Sequence, residues 1–328
     1  MKTKLVYVLV SSDNDIYLEQ AWVSIFSLRH FNKDAEVVII CDDRTSSRIT
    51  ERCPEEFREM VGEIVSVPFA DAVSNRERSR WLKTNIRKLI DGDFLFLDTD
   101  TIITDSLEEV DEFDFNLGMV YSWHCKMEDR PNKGYAKKRI KRLFNISIKD
   151  STDYFNSGVI YCKDSEKSHL FFEKWHTNWQ IAKDKPKGIQ DQASLAVTVN
   201  ELGGVHVMSG DYNCQPLYSM KYIATAKIVH FFNLKWDDYI RSPFNSDEFY
   251  LEIKKAGCIP ESSKQLILMC RSTFIAPSMC ICGDDINIWN SKTFILLRKI
   301  YKNHKFIYRG LNYLSKKLGG IKMESRSF

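Results

Sequence analysis

The chain has 328 residues, of which 44% are hydrophobic, and a formal net charge of +3. This size suits one large globular domain or a domain with an extension, and the composition excludes a disordered or collagen-like protein. The longest run without Asp, Glu, Lys or Arg covers only residues 272–283, whereas a bilayer-spanning helix needs roughly 20 apolar residues. We therefore expect neither a transmembrane helix nor a signal peptide.

Charge and cysteine content favour an intracellular protein with one basic end. Residues 286–328 contain ten Lys and Arg against one acid, whereas the remainder of the chain is mildly acidic. An acidic body argues against nucleic-acid binding, which needs basic residues across a folded face. The nine cysteines are scattered, and the one close pair, Cys280 and Cys282, lacks the spacing of a zinc or redox motif. We expect a reducing compartment, the cytoplasm.

The first hundred residues alternate short apolar runs with stretches of helical spacing. Strands are predicted at 5–10, 36–41, 64–67 and 94–97, and helices at 17–31 and 77–90. This order predicts a parallel sheet with crossover helices. The ligand crevice of such a sheet lies beyond the carboxyl ends of its strands, so residues 11–15, 41–43 and 98–100 are of most interest.

After residue 104 the pattern becomes more mixed. Further strands are predicted at 117–121 and 158–162 and in a run ending at His230 and Phe231, and helices at 169–181 and 247–256. No element can be assigned between residues 256 and 282. The chain therefore combines an α/β half with a more mixed half.

Two carboxylates directly follow the fourth predicted strand, in Phe94-Leu-Phe-Leu-Asp98-Thr99-Asp100. In an extended chain, residues i and i+2 point to the same side, so Asp98 and Asp100 are expected to face the crevice together. Close carboxylates in a cleft repel each other unless a cation lies between them. Oxygen ligands suit Mg²⁺ or Mn²⁺, which complete their shells with phosphate oxygens. The alternative interpretation is an acidic loop that caps the next helix.

A histidine and a lysine further along the chain can serve the same site. His230 ends a predicted apolar strand, and Lys235 follows five residues later. Imidazole is an acceptable ligand for Mn²⁺, and a lysine ammonium is a suitable point charge for a diphosphate. The alternative for His230 is a hydrogen-bonded core residue.

Several motifs, in the correct order over about residues 3–240, resemble glycosyltransferase family 8. This family has the GT-A fold and includes bacterial lipopolysaccharide galactosyl- and glucosyltransferases and glycogenin. Four segments carry the resemblance: the uracil- and ribose-binding turn Leu9-Val10-Ser11-Ser12-Asp-Asn14-Asp-Ile-Tyr17, the metal motif Phe96-Leu-Asp98-Thr99-Asp100-Thr, the donor-sugar loop Tyr154-Phe-Asn156-Ser157-Gly158-Val and the Asp-Gln pair in Gly188-Ile-Gln-Asp191-Gln192.

The closing motif of the family, His-x-x-Gly-x-x-Lys-Pro-Trp, is altered here. Asn233 stands in place of the glycine, the spacing is one residue shorter, and the proline is absent. The resemblance also implies a basic residue before the metal strand that reaches the donor, and either Arg80 or Lys83 fits. The implied metal ligands are Asp98, Asp100 and His230. The implied donor-binding residues are Val10, Ser11, Ser12, Asn14, Tyr17, Arg80, Lys83, Asp98, Thr99 and Lys235. The implied catalytic residues are Asn156, Asp191 and Gln192.

The resemblance implies an α/β GT-A fold and a metal-dependent, retaining transferase. Such an enzyme moves galactose or glucose from a UDP-sugar, with Mn²⁺ or Mg²⁺, to a lipid-linked or cell-surface glycan, as in lipopolysaccharide biosynthesis. The catalytic domain is expected at 1–240, with a nucleotide-binding half (1–104) and a donor-sugar and acceptor half (105–240), followed by a helical extension at 241–328. Alternatives are an inverting transferase with Asp191 as general base, or a non-catalytic nucleotide-sugar- or glycan-binding protein. A sugar-nucleotide pyrophosphorylase would need a Gly-rich loop, and residues 11–17 contain no glycine.

Two basic segments remain. Residues 130–142 contain seven basic residues and no acid, which indicates either contact with an anionic acceptor or a solvated surface helix. In residues 291–318, basic and apolar side chains occupy opposite helical faces, as in peripheral enzymes on anionic membranes. This predicts attachment to the inner face of the cytoplasmic membrane, with packing on the body as the alternative. The two faces comprise Arg298, Lys302, Lys305, Arg309 and Lys316 on one side and Leu296, Ile300, Ile307, Leu311 and Leu314 on the other.

Overall fold

The structure is a computed structural model that describes residues 1–232, 242–274, 287–288 and 290–318. The chain divides into two compact units, 1–274 and 275–328. The domain boundary predicted at residue 240 falls within 233–241, outside the described residues, and stays a prediction. Cys280 and Cys282 also lie outside the described residues.

Seven of the described strands form a mixed sheet in the first unit, in the order β3-β2-β1-β4-β7-β6-β8. Their bounds are β1 Lys4–Leu9, β2 Val37–Asp42, β3 Glu63–Val67, β4 Phe94–Leu97, β6 Leu117–Tyr121, β7 Phe155–Cys162 and β8 His206–Val207. The first four strands of this order are parallel. Strand β7 is antiparallel to β4 and β6, and β8 is parallel to β6. Strands β5 (Thr101–Ile103) and β9 (Ile228–His230) form a separate antiparallel pair.

Helices flank the sheet. Those of the first unit are α1 Tyr17–Phe31, α2 Asp43–Arg52, α3 Glu55–Glu59, α4 Asn75–Thr84, α5 Ile86–Leu89, α6 Lys133–Phe144, α7 Glu166–Lys183, α8 Gln192–Leu202, α9 Asp247–Ala256 and α10 Glu261–Leu268. Short 3₁₀ helices cover Glu108–Glu112, Ser122–His124, Met127–Asp129, Gly210–Asn213, Pro243–Asn245 and Cys270–Phe274. The second unit contains α11 Lys292–Asn303 and α12 Lys305–Leu318.

The sheet separates two apolar cores because successive residues of a strand face opposite sides. In β1, Leu5 and Tyr7 join the core that contains the apolar residues of α1. The intervening Val6 and Val8 join the core that contains residues of α4 and α7. Burial on both faces explains why β1, β2 and β4 are continuous apolar runs in the sequence.

Most predicted elements of the first unit are present, and α1, β4, β6 and α9 have the predicted bounds. The helix predicted at 77–90 is instead α4 and α5, which Asn85 separates with a backbone at φ −109° and ψ 8°. Helix α2 was not predicted, because its sequence is almost wholly polar and buries only Thr45 and Ile49.

The basic C-terminal segment is helical, as predicted, but it forms two helices and not one. At His304 the backbone leaves the helical region, with φ −138° and ψ 60°. Asn303 and His304 both have low helix propensity, which accounts for a break at this position. No helix in the described part of the chain combines the length and hydropathy that crossing a membrane requires.

Candidate active site

Three side chains that can bind a metal converge beyond the carboxyl end of β4. Asp98, Asp100 and His230 each offer one ligand atom, and these atoms lie within 4.8 Å of one another. The Nε2 atom of His230 is 3.1 Å from Asp100 Oδ1 and 3.9 Å from Asp98 Oδ2. Ligands about 2.1 Å from an octahedral ion are about 3.0 Å apart when adjacent and about 4.2 Å apart when opposite. The two distances from His230 Nε2 lie within about this range and suit a shared divalent cation such as Mn²⁺ or Mg²⁺.

The two carboxylates are brought together by a turn. We expected an extended chain at this position, and this expectation was wrong. The Asp98 N–H donates to the Gly158 carbonyl at 2.8 Å, beside the ladder between β4 and β7. Thr99 and Asp100 then form a turn, and the Thr101 hydroxyl donates to the Asp98 carbonyl at 2.8 Å. Thr101 pairs with His230 in the ladder between β5 and β9. The histidine is thereby held opposite the turn that carries both carboxylates.

A series of buried amides orients the imidazole. His230, which is 2% exposed, donates from Nδ1 to Asn213 Oδ1 at 3.1 Å. The Asn213 amide donates in turn to Asn156 Oδ1 at 2.8 Å, and this oxygen also accepts the Gly158 N–H at 2.8 Å. Because Nδ1 carries the proton in this arrangement, Nε2 presents its lone pair toward the carboxylates. Asn156, which we predicted to be catalytic, thus also acts through Asn213 on the ring of His230.

Gly158 packs directly against the imidazole. A Cβ at this position would lie 2.1 Å from His230 Cε1 and 2.5 Å from its Nδ1. Real Cβ atoms do not approach other atoms this closely. The glycine of the Asn156-Ser157-Gly158 segment is therefore needed for the ring to occupy its place.

Basic side chains and a third carboxylate adjoin the metal-binding residues. The Lys83 ammonium lies 2.8 Å and 3.1 Å from the two oxygens of Asp98 and 3.6 Å from Asp191 Oδ2. Arg80 Nε lies 3.0 Å from Asp191 Oδ1, and the Ser157 hydroxyl donates to Asp191 Oδ2 at 2.8 Å. The sequence left open which basic residue of α4 reaches this place. Both do, because residues three apart lie on the same helix face.

The basic neighbours keep Asp191 ionised. Burial alone would raise the pKa of this carboxyl, but Lys83 and Arg80 outweigh burial and hold the pKa well below its ordinary value. Asp100 behaves similarly when His230 also carries a proton on Nε2, the position that a bound cation would take, because the charge and hydrogen bond of this imidazolium outweigh burial and lower the pKa of the carboxyl. Both groups therefore carry negative charge at neutral pH.

A first cavity of about 310 Å³ adjoins the carboxylates. Its wall comprises Val8, Leu9, Val10, Tyr17, Gln20, Asn75, Arg76, Ser79, Arg80, Asp98, Thr99 and Asp100. It thus brings together five of the predicted donor-binding residues, Val10, Tyr17, Arg80, Asp98 and Thr99, with the second carboxylate of the metal motif, Asp100. Gln20 and Arg76 also line this wall and were not predicted from the sequence. Helical spacing was the available signal, since Gln20 follows Tyr17 by three residues and Arg76 precedes Arg80 by four.

Other predicted donor-binding residues lie outside this wall. Ser11 and Ser12 are engaged within their own turn, where the Asp15 carboxylate accepts from the Ser11 hydroxyl at 2.7 Å and from the Ser12 N–H and hydroxyl at 2.7 Å and 2.6 Å. Asn14 is exposed in the same turn. Lys235 lies outside the described residues.

A second cavity, of about 220 Å³, has Asn156 and Gln192 in its wall. Gln192 is the first residue of α8, and its amide donates to the Phe155 carbonyl. The preceding residue, Asp191, is buried against Lys83 and Arg80. Asn156 links this cavity to the metal-binding cluster, because it accepts a hydrogen bond from Asn213, which in turn contacts His230.

The mixed sheet and this cluster of carboxylates and a histidine are consistent with a glycosyltransferase, and comparison with known proteins agrees. The family model "Glycosyl transferase family 8" matches residues 8–236, and the chain belongs to this family. The predicted α/β GT-A fold is confirmed as a mixed seven-stranded sheet with flanking helices. Family membership also excludes the pyrophosphorylase alternative. A comparison with curated proteins finds no match.

Among solved structures, the bifunctional glycosyltransferase WbbM, in its apo form, superposes with a TM-score of 0.50 at 16% identity, covering 82% of this chain and 51% of that one. The chain thus spans about half the length of WbbM. The galactosyltransferase LgtC, solved with donor and acceptor sugar analogues, superposes with a TM-score of 0.49 at 15% identity, covering 80% of this chain and 99% of that one. Mouse xyloside xylosyltransferase 1 superposes with a TM-score of 0.48 at 13% identity, covering 71% of this chain and 98% of that one.

Proposed function

We propose that this glycosyltransferase moves galactose or glucose from a UDP-sugar in a metal-dependent reaction that retains the anomeric configuration. The convergence of Asp98, Asp100 and His230 beside the first cavity carries the proposal. A departing nucleoside diphosphate needs its negative charge neutralised. When bound, Mn²⁺ or Mg²⁺ supplies Lewis acidity and positive charge to the diphosphate oxygens.

The predicted donor-binding residues have separate roles in this proposal. Tyr17, which is 47% exposed, offers its ring to the uracil base, beside the backbone of Val10. Arg80 and Lys83 place positive charge between the cavity and Asp191, toward the diphosphate. Lys235 is a further proposed diphosphate contact. The turn that contains Ser11, Ser12 and Asn14 supports the nucleotide from the end of β1.

The environment of Asp191 supports retention over inversion. A general base works best when its pKa lies near the operating pH. The pKa of Asp191 is instead well below its ordinary range, and both carboxylate oxygens have close partners in Arg80, Lys83 and Ser157. A fixed anion of this kind stabilises positive charge at the anomeric carbon but is a weak proton acceptor. In our proposal Asp191 acts electrostatically, and Gln192 and Asn156 orient the sugar.

A nucleotide-sugar panel tests the proposal. The protein is incubated with UDP-glucose, UDP-galactose, GDP-mannose and UDP-N-acetylglucosamine, with Mn²⁺ or with EDTA, and sugar release is followed by NMR. We expect release from a UDP-hexose in Mn²⁺, with the α anomer of the free sugar appearing first, before mutarotation, and loss of release in EDTA and in Asp100→Asn. Asp91→Asn, which changes an exposed carboxylate just before β4, serves as the matched control. Undiminished release in EDTA would reject the metal-dependent mechanism, and a β product would favour inversion.

We also propose that the acceptor is a lipid-linked or cell-surface glycan and that the second unit lies on the anionic inner face of the cytoplasmic membrane. Helices α11 and α12 expose large apolar side chains, among them Leu296 at 57% and Phe306 at 90%. Arg298, Lys305 and Arg309 are exposed on the same two helices, while the side chains of Lys302 and Lys316 lie outside the described residues. Exposed apolar groups beside basic ones suit an anionic lipid surface.

A further inference from the structure

The second cavity has a basic wall. Two arginines of the basic segment 130–142, Arg130 and Arg139, line it together with Tyr135, Tyr154 and the Asn156 amide. The remaining lining residues are Ser122, Asn132, Ala136, Gln190, Gln192, Tyr218 and Phe232. The wall of the cavity is therefore largely polar and carries two positive charges.

Other basic residues of this segment have partners elsewhere. Lys133 and Lys137 both form ion pairs with Asp150. Arg142 donates to the Pro186 carbonyl at 3.1 Å and does not line the cavity. The structure thus distinguishes Arg130 and Arg139 from the solvated face of α6.

Arg130 is buried, and no carboxylate in the described part of the chain forms an ion pair with it. Its side chain is 8% exposed, and its guanidinium lies over the rings of Trp123 and Tyr154 at 5.3 Å and 4.6 Å. Its hydrogen bonds to Asn132 and Ser122 use two of its five N–H donors. Burial lowers its pKa, and the groups that oppose this are two phenols and a thiol, not an acid. A buried cation of this kind is costly unless an anion compensates it.

Arg139 provides a second, independent observation. One terminal nitrogen donates to the Lys187 carbonyl at 3.1 Å. Its Nε is buried and has no hydrogen-bond partner in the described part of the chain. Buried donors without partners are rare in proteins, and this one belongs to a side chain that lines the cavity.

We propose that the second cavity binds the acceptor saccharide through an anionic group, a carboxylate or a phosphate, held by Arg130 and Arg139. This inference rests on the proposed function, because it assigns the substrate class of the acceptor half of the same site. Guanidinium groups match the geometry of both anions. Tyr135 and Tyr154 offer apolar ring surface to the sugar, and Asn156 places the bound acceptor next to the reacting centre.

The test uses the full-length protein saturated with UDP and Mn²⁺, so that the donor site is filled. Ligand-observed NMR titrations compare methyl glucoside with methyl glucuronide and with methyl glucoside 6-phosphate. We expect at least one anionic sugar to bind about tenfold or more tightly than the neutral sugar, since hydrogen bonds to ionised groups are about twice as strong as neutral ones. The two anionic sugars distinguish a carboxylate from a phosphate acceptor.

Variants assign the preference to the cavity. Arg139→Gln should reduce the preference for the anionic sugar to within about twofold of the neutral one, and Arg139→Lys should retain part of it. Arg142→Gln is the matched control, because Arg142 lies on the same helix and makes the same type of backbone hydrogen bond at the same 3.1 Å. Thermal unfolding of each variant establishes that it is folded.

The possible results separate the two proposals. Equal binding of neutral and anionic sugars by the wild type, or an undiminished preference in Arg139→Gln, would overturn the inference while the donor site still binds UDP with Mn²⁺. A wild-type protein that fails to bind UDP with Mn²⁺ would instead refute the proposed function on which the inference rests. An equal loss in Arg139→Gln and Arg142→Gln would also contradict the assignment to this cavity.

Discussion

Replacing Gly158 with alanine tests whether His230 must occupy its observed position. The added Cβ would lie 2.1 Å from His230 Cε1. Carbon atoms in contact are about 3.5 Å apart or more, so the ring would have to move by about 1.4 Å. The backbone is poorly able to yield, because the Gly158 carbonyl accepts from the Asp98 N–H and its N–H donates to Asn156.

A displacement of this size should break the metal-binding geometry. Metal–ligand distances tolerate changes of about 0.2 Å, and loss of the groups that orient a histidine ligand costs about 10–100-fold in metal affinity. For Gly158→Ala we expect a decrease of at least this order in Mn²⁺ affinity. Crowding of the core should also cost about 1–3 kcal/mol of unfolding free energy.

Mn²⁺ titrations followed by electron paramagnetic resonance, in the presence of UDP, measure the affinity, and urea denaturation measures the stability. Gly134→Ala is the matched control. A Cβ on Gly134 meets nothing within 4 Å in the described part of the chain, and alanine is favoured within a helix such as α6. A folded Gly158→Ala protein with wild-type Mn²⁺ affinity would refute the reasoning.

Asp191→Asn removes the common partner of Arg80 and Lys83 and should cost about 3 kcal/mol at neutral pH. This is the low end for a buried ion pair, because Arg80 is partly exposed. Because folding lowers the pKa of Asp191, the deficit should stay constant above about pH 5 and shrink below about pH 4 in denaturation experiments. Asn213→Ala should weaken Mn²⁺ binding about tenfold or more, since the imidazole loses its orienting partner. Replacing Arg298, Lys305 and Arg309 together with glutamine should lower binding to anionic vesicles, measured by flotation, without changing release of sugar from the donor.

Each of these predictions has a control. Asp184→Asn changes a carboxylate that is 82% exposed and should leave stability within about 0.5 kcal/mol of wild type. Asn200→Ala changes an exposed amide on α8. The control for vesicle binding replaces Lys137, Lys138 and Lys141 with glutamine, which removes the same number of positive charges from α6. A stability deficit of Asp191→Asn that grows on acidification, or equal vesicle binding by both triple variants, would contradict the corresponding prediction.

The strands at the centre of the sheet were predictable because they are buried on both faces. Such strands are short, continuous apolar runs, and β1, β2 and β4 are all of this type. The antiparallel half of the sheet was harder to predict from the sequence. Strand β7 lies between β4 and β6 although β6 precedes it in the chain, and no local pattern specifies this order. The polar helix α2 was not predicted, because most of its residues are exposed and its sequence therefore lacks a helical spacing of apolar residues.

Site residues could be predicted where they form a local sequence motif. They could not be predicted where their position depends on pairing between segments distant in the sequence. Asp98 and Asp100 are close in sequence, and the apolar run before His230 marks it as a strand end. No local sequence motif or apolar run marks Asn213 as a site residue. It reaches the imidazole because Cys214 forms a β-bridge with Val229, a contact between segments about 15 residues apart. The basic segment 130–142 was recognised, but only the packing of its residues separates the cavity-lining arginines from the paired lysines.

Binding of Mn²⁺ in the presence of UDP, followed by electron paramagnetic resonance, tests the central claim most directly. We predict one tight site in the wild-type protein and in Asp91→Asn, and its loss in Asp98→Asn and in Asp100→Asn. A wild-type protein with no such site, or tight binding that survives in both of these variants, would contradict a metal centre formed by Asp98, Asp100 and His230.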